Sequence, residues 1–151
     1  MDCLVDTNVL LRSLDQTHAM HSEATIGLAS LVNSGDRVCV TPQNIIEFWG
    51  VCTRPLDRNG LGLTPAEADR EASRLEGLLT LLPDVPAIYP EWRRLVVAHS
   101  VSGVQVHDAH IVAAMNVYGI THVLTFNDPD FTRYPGIHVI YPNDLAKGAN
   151  P

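Results

Sequence analysis

Residues 3–11 read CLVDTNVLL, so an apolar triplet, the acid Asp6 and a second apolar run follow one another without a turn. The triplet predicts a short buried strand, which we expect to cover residues 2–6 and to end at Asp6, and residues 9–11 predict a short helix. Asp is a frequent N-cap, so Asp6 could serve only that structural purpose. Asn8 can also cap, however, and a carboxylate directly after a buried strand is unfavourable unless it is paired or bound to a metal. The position therefore favours a functional role.

Strand-like and helical patterns alternate along the rest of the chain. Short apolar runs predict strands at 38–40, 122–125 and 138–141, with a short extended piece at 87–88. Helical periodicity and end signals predict helices over 21–33, 42–52, 64–82, 91–99 and 107–118. Continuous apolar strands that alternate with helices indicate an α/β domain whose mainly parallel sheet is covered on both faces. In such sheets, sites form beyond the carboxyl ends of the strands.

With 151 residues, of which 46% are hydrophobic, the chain is long enough to bury the core of one domain and too short for two. We expect that domain to cover residues 1–145 and residues 146–151 to form a flexible tail. The sequence starts almost directly with a strand and has no long apolar segment. We therefore expect neither a signal peptide nor a transmembrane helix, and a cytoplasmic location. Cys3, Cys39 and Cys52 lie in apolar runs without metal-type spacing, which indicates reduced core residues.

The net charge of −7 argues against a protein that coats nucleic acid by bulk electrostatics, because such domains usually carry a basic surplus. It does not exclude a nuclease, since a bound cation cancels the charge of clustered acids. Arginines could still supply local phosphate contacts, and Arg54 is our candidate for substrate binding. The other arginines considered for this role are Arg58, Arg93, Arg94 and Arg133.

Acidic side chains stand at four places where an apolar element begins, ends or is interrupted: Asp6, Glu47, Asp108 and the cluster 127–130. Carboxylates placed in this way usually meet in the fold. Two like charges about 5 Å apart repel by roughly 3 kcal/mol at an effective dielectric constant of 20. Carboxylates that share a pocket therefore call for a hard cation. The sequence predicts a metal-dependent enzyme.

Glu47 belongs to a polar stripe on its predicted helix, together with Gln43, Gly50 and Arg54. That stripe fits the solvent side of an amphipathic helix. It fits equally well the lining of a groove whose floor is the metal site. Periodicity alone leaves both interpretations open.

Asp108 could simply complement the dipole of a helix that starts near it. The residues three, four and seven positions onward are all apolar, however, so Asp108 shares the face that looks most buried, which favours function. His107 and His110 flank it and suggest zinc, but no further His or Cys follows at ligand spacing.

Residues 125–131, TFNDPDF, could form an ordinary turn, since Asn, Asp and Pro are turn formers. Their place at the carboxyl end of a predicted strand makes them the fourth side of the pocket. We expect Asn127 and Asp130 to face that pocket together. Asp128 precedes a proline and is biased to an extended backbone.

These motifs together resemble the PIN-domain ribonucleases, and among them the VapC-type toxins of toxin–antitoxin pairs. The resemblance covers residues 3–141 and rests on residues 4–10 (LVDTNVL), 47–48 (EF), 108–114 (DAHIVAA), 124–127 (LTFN) and 130–131 (DF). It implies a PIN-like three-layer α/β/α sandwich with a mainly parallel central sheet, and hydrolysis of RNA phosphodiester bonds. It also implies an antitoxin protein as partner and a homodimer, for which the apolar helix over 64–82 is a candidate contact surface.

The resemblance further assigns the site. It implies that Mg²⁺ or Mn²⁺ is held by an acidic quartet, which by position is Asp6, Glu47, Asp108 and Asp130. Many relatives have Asp where this chain has Asn127, so that position must be supplemented by Asp130 or Asp128. The residues that would support the acids or position the substrate are Thr7, Asn8, Thr125, Asn127 and Asp128. No protein nucleophile is required, because a cation held by carboxylates keeps positions for a phosphodiester oxygen and an attacking water.

Two other classes of function remain as alternatives. Phosphohydrolases with an aspartyl nucleophile also place an Asp after the first strand. They usually have a second Asp two residues on, where this chain has Asn8, and a later lysine, for which only Lys147 is available. A metal-free PIN-like module that binds RNA or protein is the non-enzymatic alternative, and the four acidic positions argue against it.

Overall fold

The computed structural model describes residues 1–148 of the chain. The strands in this part are β1 Cys3–Val5, β2 Val38–Val40, β3 Thr80–Leu81, β4 His122–Leu124 and β5 His138–Ile140. The α-helices are α1 Thr7–Leu14, α2 His21–Asn33, α3 Pro42–Thr53, α4 Pro65–Leu78, α5 Ile88–Ala98, α6 Gln105–Tyr118 and α7 Pro142–Gly148. Short 3₁₀ turns lie at Leu56–Arg58 and Asp128–Asp130.

The strands form one parallel sheet in the order β3-β2-β1-β4-β5. The chain therefore winds outward from β1 to one edge, returns, and winds outward from β4 to the other edge. The winding reverses between β1 and β4, and parallel sheets form sites in the crevice at the carboxyl ends of such strands. Val5 pairs with Leu124, so the next residues, Asp6 and Thr125, emerge side by side at that crevice.

Each face of the sheet is covered by its own apolar core. Cys3 and Val5 belong to a core shared with α1 to α4, in which Leu10 and Phe48 are fully buried. Leu4, which lies between them on β1, belongs to the core shared with α5 and α6. This alternation is the two-residue period of a strand with both faces covered. The predicted α/β/α sandwich is confirmed, and its sheet is parallel throughout.

The helix that carries Glu47 begins at the predicted proline. Thr41 Oγ1 accepts a hydrogen bond from the Asn44 N–H at 3.2 Å, and Asn44 Oδ1 accepts one from the Thr41 N–H at 2.9 Å. This is the reciprocal capping box, with Asn in the place usually taken by Glu or Gln. An N-cap contributes about 1 kcal/mol. It also fixes the first residue of α3, and hence the direction in which Glu47 points.

The helix expected over 64–82 is wrong at its C-terminal end. α4 stops at Leu78, and the next residues form the edge strand β3. The Leu82 N–H donates to the Val40 carbonyl at 2.8 Å, which extends the pairing with β2 beyond the strand. Tertiary backbone pairing thus outweighs the apolar pattern that favoured a longer helix.

The extended piece expected at 87–88 is also wrong. α5 already begins at Ile88, whose N–H donates to the Val85 carbonyl at 3.1 Å and whose side chain is buried in the core. α6 begins at Gln105, two residues before the predicted start at His107. These differences move helix starts without changing the order of the strands.

The end of the described chain is helical where a flexible tail was expected. α7 includes residues 146–148, and Ala146 is buried. α7 packs on α2 at Gly27, where an added Cβ would lie 2.9 Å from the Pro142 carbonyl oxygen. Residues 149–151 of the expected tail lie outside the described residues.

The three cysteines are buried thiols, as the sequence predicts. Burial raises the pKa of Cys3 to about 12, so that thiol stays protonated and unreactive near neutral pH. Within residues 1–148, none of the helices is long and apolar enough to cross a membrane.

Candidate active site

Asp6 stands at the junction of β1 and α1 and is only 7% exposed. Its Oδ1 atom accepts the Thr7 N–H at 2.8 Å, so it caps α1. Its Oδ2 atom accepts the Thr125 hydroxyl at 2.8 Å. Burial nevertheless raises the pKa of Asp6 to about 6; the two hydrogen bonds oppose that rise, and the charges of Glu47 and Asp130 add to it. The N-cap interpretation is correct, and the carboxylate is also part of a group of charges.

Thr125 fastens the two central strands together at this edge. Its fully buried hydroxyl donates to Asp6 and accepts hydrogen bonds from Asn8 Nδ2 at 3.2 Å and from the Asn127 N–H at 2.9 Å. Asn8 Oδ1 in turn accepts the Phe126 N–H at 3.3 Å. Asn8, Thr125 and Asn127 therefore form one hydrogen-bonded network at the Asp6 carboxylate.

Glu47 is half-buried, and its carboxylate is hydrogen-bonded to neighbouring side chains. Its Oε2 atom accepts the Thr7 hydroxyl at 2.9 Å, and its Oε1 atom accepts Nε2 of Gln43 at 2.8 Å. Thr7 therefore touches two acids, because its N–H bonds to Asp6 and its hydroxyl bonds to Glu47. Gln43 and Glu47 therefore contact α6 and α1 by hydrogen bonds, and the groove lining stays a prediction.

Asn44 is a member of this network that the sequence analysis missed. It is fully buried, and its Nδ2 group donates to the Thr7 hydroxyl at 3.2 Å while its Oδ1 atom caps the helix at Thr41. The sequence signal was present in the three-residue spacing from Thr41 to Asn44. One buried amide thus couples the start of α3 to the residue that holds Glu47.

Gln43 connects Glu47 to α6 by hydrogen bonds. Its Nε2 group donates both to Glu47 Oε1 and to the His107 carbonyl oxygen, each at 2.8 Å. Its Oε1 atom is therefore left as an acceptor, and it pairs with Nδ1 of His110. His110 consequently carries a proton on Nδ1.

Asp108 lies in the first turn of α6 and is partly buried. Burial raises its pKa to about 7, and the negative charges of Asp130, Asp6 and Glu47 add to the rise, in that order. Residues 1–148 give its carboxylate no hydrogen-bond donor. Like charges thus converge on Asp108 from β1, α3 and the loop after β4.

Asp130 completes the charged group from the loop after β4. Asn127 Nδ2 donates to its Oδ2 atom at 2.6 Å, and its charge contributes to the raised pKa of both Asp6 and Asp108. Burial raises the pKa of Asp130 itself, against the effect of Asn127 and Arg133. Asp128 begins the 3₁₀ turn and interacts with Tyr141 instead. Asn127 and Asp130 are thus hydrogen-bonded to each other, and the expectation that both face one metal pocket stays a prediction.

The arginine next to the acids is Arg133, not Arg54. Arg133 Nη2 donates to Gln105 Oε1 at 2.7 Å, and its charge lowers the pKa of Asp108 and Asp130. Arg54 is the exposed C-cap of α3, seven residues and so about 10 Å along the helix from Glu47. A substrate that contacts both Arg54 and the acids must therefore span more than one nucleotide.

The chemistry of the donors fits a hard divalent cation, because all four acids offer carboxylate oxygens and repel one another without a counter-ion. In the structure, however, the four carboxylates are not arranged as ligands of a single ion. Within residues 1–148, no three His, Cys, Asp or Glu side chains lie close enough together to hold a metal ion. Glu47 illustrates the reason, since both its oxygens accept hydrogen bonds from neighbouring side chains. For the four carboxylates to bind one cation together, their side chains must move closer to one another.

The family model described as "PIN domain" matches residues 3–137 of this chain. None of the curated proteins compared with it is similar enough in sequence to match.

Three solved structures illustrate the similarity in fold. VapBC-1 from nontypeable Haemophilus influenzae has a TM-score of 0.69 at 15% identity, over 94% of this chain and 98% of that chain. VapC20 from Mycobacterium tuberculosis, described as a sarcin–ricin loop cleaving toxin, has a TM-score of 0.64 at 18% identity, over 86% and 93%. FitAcB from Neisseria gonorrhoeae has a TM-score of 0.62 at 23% identity, over 93% and 97%.

Proposed function

This chain belongs to the PIN domain family, and on that premise we propose that it is a metal-dependent endoribonuclease, a hydrolase of RNA phosphodiester bonds. The observation that supports this most strongly is the convergence of charge at one edge of the sheet. The charges of Glu47 and Asp130 contribute to the raised pKa of both Asp6 and Asp108. Carboxylates held together against their own repulsion are typical of a catalytic site.

In this proposal Mg²⁺ or Mn²⁺ is held by the acidic quartet of Asp6, Glu47, Asp108 and Asp130. When bound, the cation polarises a phosphoryl oxygen and lowers the pKa of an attacking water. Asp6 and Glu47 are oriented for this task by the hydroxyls of Thr125 and Thr7. Asn127 orients Asp130 through its amide. Such second-layer partners typically matter by about 10- to 100-fold in metal affinity or activity.

Arg133 is the residue best placed to contact the phosphate beside the acids. Its guanidinium is exposed and is held by Gln105 next to Asp108 and Asp130. Guanidinium groups bind phosphate oxygens in a planar, two-pronged geometry. Arg54 stays a candidate for a phosphate further along the same strand.

We further propose that the protein is the toxin of a toxin–antitoxin pair and acts in the cytoplasm. One of the solved structures with a similar fold is a toxin–antitoxin complex from Klebsiella pneumoniae. A small partner that places a basic side chain near the acids would satisfy charges that repel one another in the lone chain. A homodimer is part of the proposal, with α4 as a candidate contact, since Leu78 at its end is 53% exposed.

The second candidate function is a metal-free module that binds RNA or protein. One observation favours it, namely that no three acidic, His or Cys side chains in residues 1–148 are arranged as metal ligands. The aspartyl-nucleophile alternative has less support, because Asp6 is buried and both its oxygens accept hydrogen bonds.

A single ribonuclease assay separates these candidates. Purified protein is mixed with a labelled single-stranded RNA of mixed sequence in Mg²⁺, in Mn²⁺ or in EDTA, beside an Asp108→Asn variant prepared in the same way. We expect cleavage by the unmodified chain with either cation, and none in EDTA or with the variant. Binding of the RNA without cleavage under all conditions would instead support the metal-free module.

A further inference from the structure

An open cleft of about 220 Å³ lies between α5 and α6, and none of the four acids lines it. It is lined by Tyr89, Trp92, Val106, His107 and His110. Cavities for drug-sized ligands usually start at about 300 Å³. The cleft is therefore sized for one ring system of a ligand whose remainder stays outside.

One side of the cleft is a pair of stacked aromatic rings. The centroids of Tyr89 and Trp92 are 5.9 Å apart, with 27° between the ring planes. Tyr89 is 60% exposed. An aromatic ring left this exposed beside a cleft offers a flat surface to another ring, since such rings prefer offset stacking.

The cleft is held in shape by hydrogen bonds between the two helices and α3. Trp92 Nε1 donates to the Val106 carbonyl at 2.8 Å and so fastens α5 to α6. On the opposite wall, His110 is oriented by Gln43 through Nδ1. Its Nε2 atom has no partner among residues 1–148, so it remains as a hydrogen-bond acceptor at the cleft.

The cleft is linked to the acidic site by Gln43. Gln43 contacts both Glu47 and His110, one a member of the acidic quartet and the other a wall of the cleft. Asp108 is two residues before His110 on α6, so at about 100° per residue their side chains lie on nearly opposite faces of the helix, and the link from the cleft to the acids is Gln43. The wall of the cleft at His110 is therefore separated from Glu47 by the Gln43 side chain alone.

An exposed arginine lies on the same helix as the two aromatic rings. Arg93 follows Tyr89 by four residues on α5, which places it on the same face, and both are exposed. The ion pairs found in residues 1–148 do not include Arg93, whereas its neighbour Arg94 is paired with Glu91 at 2.6 Å. A flat aromatic surface beside an uncompensated arginine suits a base together with its phosphate.

We propose that this cleft binds one unpaired nucleobase of the RNA strand, by stacking on Tyr89, next to the phosphate that is cleaved. The inference rests on the proposed ribonuclease function. A base within a duplex cannot enter such a cleft, because its faces are already stacked, so the cleft selects single-stranded RNA or a loop. The imidazole of His110 adds a hydrogen-bonding group that can contact the edge of the base.

Binding can be measured without cleavage by using tryptophan fluorescence. The chain has two tryptophans, so a Trp49→Phe variant leaves Trp92 as the single reporter. This variant is titrated in EDTA at low salt with single-stranded oligoadenylate, and with an abasic oligomer of the same length and charge. We expect oligoadenylate to quench Trp92 and to bind about tenfold more tightly than the abasic oligomer. Equal binding of the two, or no change in fluorescence, overturns the proposal.

Two substitutions at Tyr89 separate the contribution of the aromatic ring from that of the hydroxyl group. Tyr89→Leu, which keeps an apolar side chain but removes the ring, should weaken oligoadenylate binding about tenfold in the Trp49→Phe background. Tyr89→Phe keeps the ring and should bind like its parent. Both should keep the parent's melting temperature because the side chain is largely exposed. Wild-type affinity in Tyr89→Leu, or equal losses in both variants, contradicts stacking.

Cleavage assays then locate the base. A set of RNAs that each lack one base is compared on the unmodified chain and on Tyr89→Leu, with Mg²⁺ present. Removal of one base next to the cleaved bond should raise KM about tenfold for the unmodified chain and leave KM of Tyr89→Leu unchanged. If base removal at every position raises KM equally in the unmodified chain and in Tyr89→Leu, the cleft does not bind the base. If no RNA is cleaved at all, the ribonuclease proposal fails, and the fluorescence titration still decides whether the cleft binds a base.

The cleft could instead be a contact between two copies of the chain, which sedimentation velocity of Tyr89→Leu and of the unmodified chain distinguishes. The same sedimentation coefficient for both supports a nucleobase site. Dissociation of a dimer by Tyr89→Leu would assign the cleft to a protein interface and overturn the proposal.

Discussion

The two halves of the acidic site are held in different ways. Asp6 and Glu47 have all four carboxylate oxygens occupied by donors from Thr7, Thr125 and Gln43. Asp108 has no such donor among residues 1–148, and Asp130 has a single amide on one oxygen. The first half is held by these hydrogen bonds, because its donors stand in the first turns of α1 and α3 and directly after β4. The second half is set mainly by charge, so its arrangement responds to what binds.

Loss of a single charge in either half should have the largest effect. Asp6→Asn and Asp108→Asn each remove a metal-binding charge at nearly constant volume, and both should lower RNA cleavage by more than about 100-fold, since even outer partners of a metal contribute about 10- to 100-fold. An RNA gel measures the rate, and circular dichroism checks that the variants are folded. Near-normal cleavage by either folded variant rules out the acidic centre.

The two acids of the loop after β4 test the loosely held half. Asp130→Ala should reduce cleavage by about 10- to 100-fold, because Asp130 is the loop acid whose charge contributes to the raised pKa of Asp6 and Asp108. Asp128→Ala is the matched control and should change the rate far less, since Asp128 faces Tyr141. Both rates are measured at one metal concentration. The opposite order would transfer the role to Asp128.

Removal of the buried Thr125 hydroxyl tests the half of the site that is held by hydrogen bonds. Thr125→Val keeps the shape of the side chain but leaves Asp6, Asn8 and the Asn127 N–H without their shared partner. We expect about a tenfold loss of activity and a loss of about 1–3 kcal/mol in the free energy of unfolding. Thr53→Val, which removes a hydroxyl bonded to the Trp49 carbonyl on α3, is the control. Urea denaturation and the cleavage rate measure the two effects, and equal behaviour of the two variants would refute the special position of Thr125.

The smallest expected effect is a dependence of stability on pH in the metal-free protein. The pKa of Asp6 is raised from 3.8 to about 6 and that of Asp108 from 3.8 to about 7. A group with a raised folded-state pKa favours folding fully below its unfolded pKa and loses that contribution as pH rises through its folded pKa. The melting temperature in EDTA should therefore fall between pH 4 and pH 7 more steeply than in Asp108→Asn. A parallel fall in both proteins would show that Asp108 is not the source.

Much of the fold could be predicted because its signals are local. The apolar triplets predict the central strands, and Thr41-Pro42 predicts the start of α3 through a side-chain cap. The positions of Asp6 after β1 and of Asp130 in the loop after β4 also predict that these two acids lie at one edge of the sheet. These features depend on the pattern within a few residues.

The features that escaped prediction depend on contacts between distant segments. β3 is a two-residue strand with exposed side chains, so its backbone pairing with β2 leaves no apolar pattern. α7 is positioned against α2 by the close approach of Pro142 to Gly27. The roles of Asn44 and Arg133 come from side chains that reach across to Thr7 and Gln105. Local spacing indicates the Thr41–Asn44 cap, but not the contacts that these residues make with distant segments.

The central claim is that the four acids form one cation site, and thermal unfolding in the presence of Mn²⁺ or Mg²⁺ tests it most directly. A cation that binds only the folded chain stabilises it by about 2.7 kcal/mol at 100 times its Kd, which corresponds to about 5–10 °C for a domain of this size. We expect a rise of that order for the unmodified chain and little or none for Asp6→Asn and Asp108→Asn. An equal rise in all three proteins would contradict the account, because it would trace the stabilisation to ions bound elsewhere.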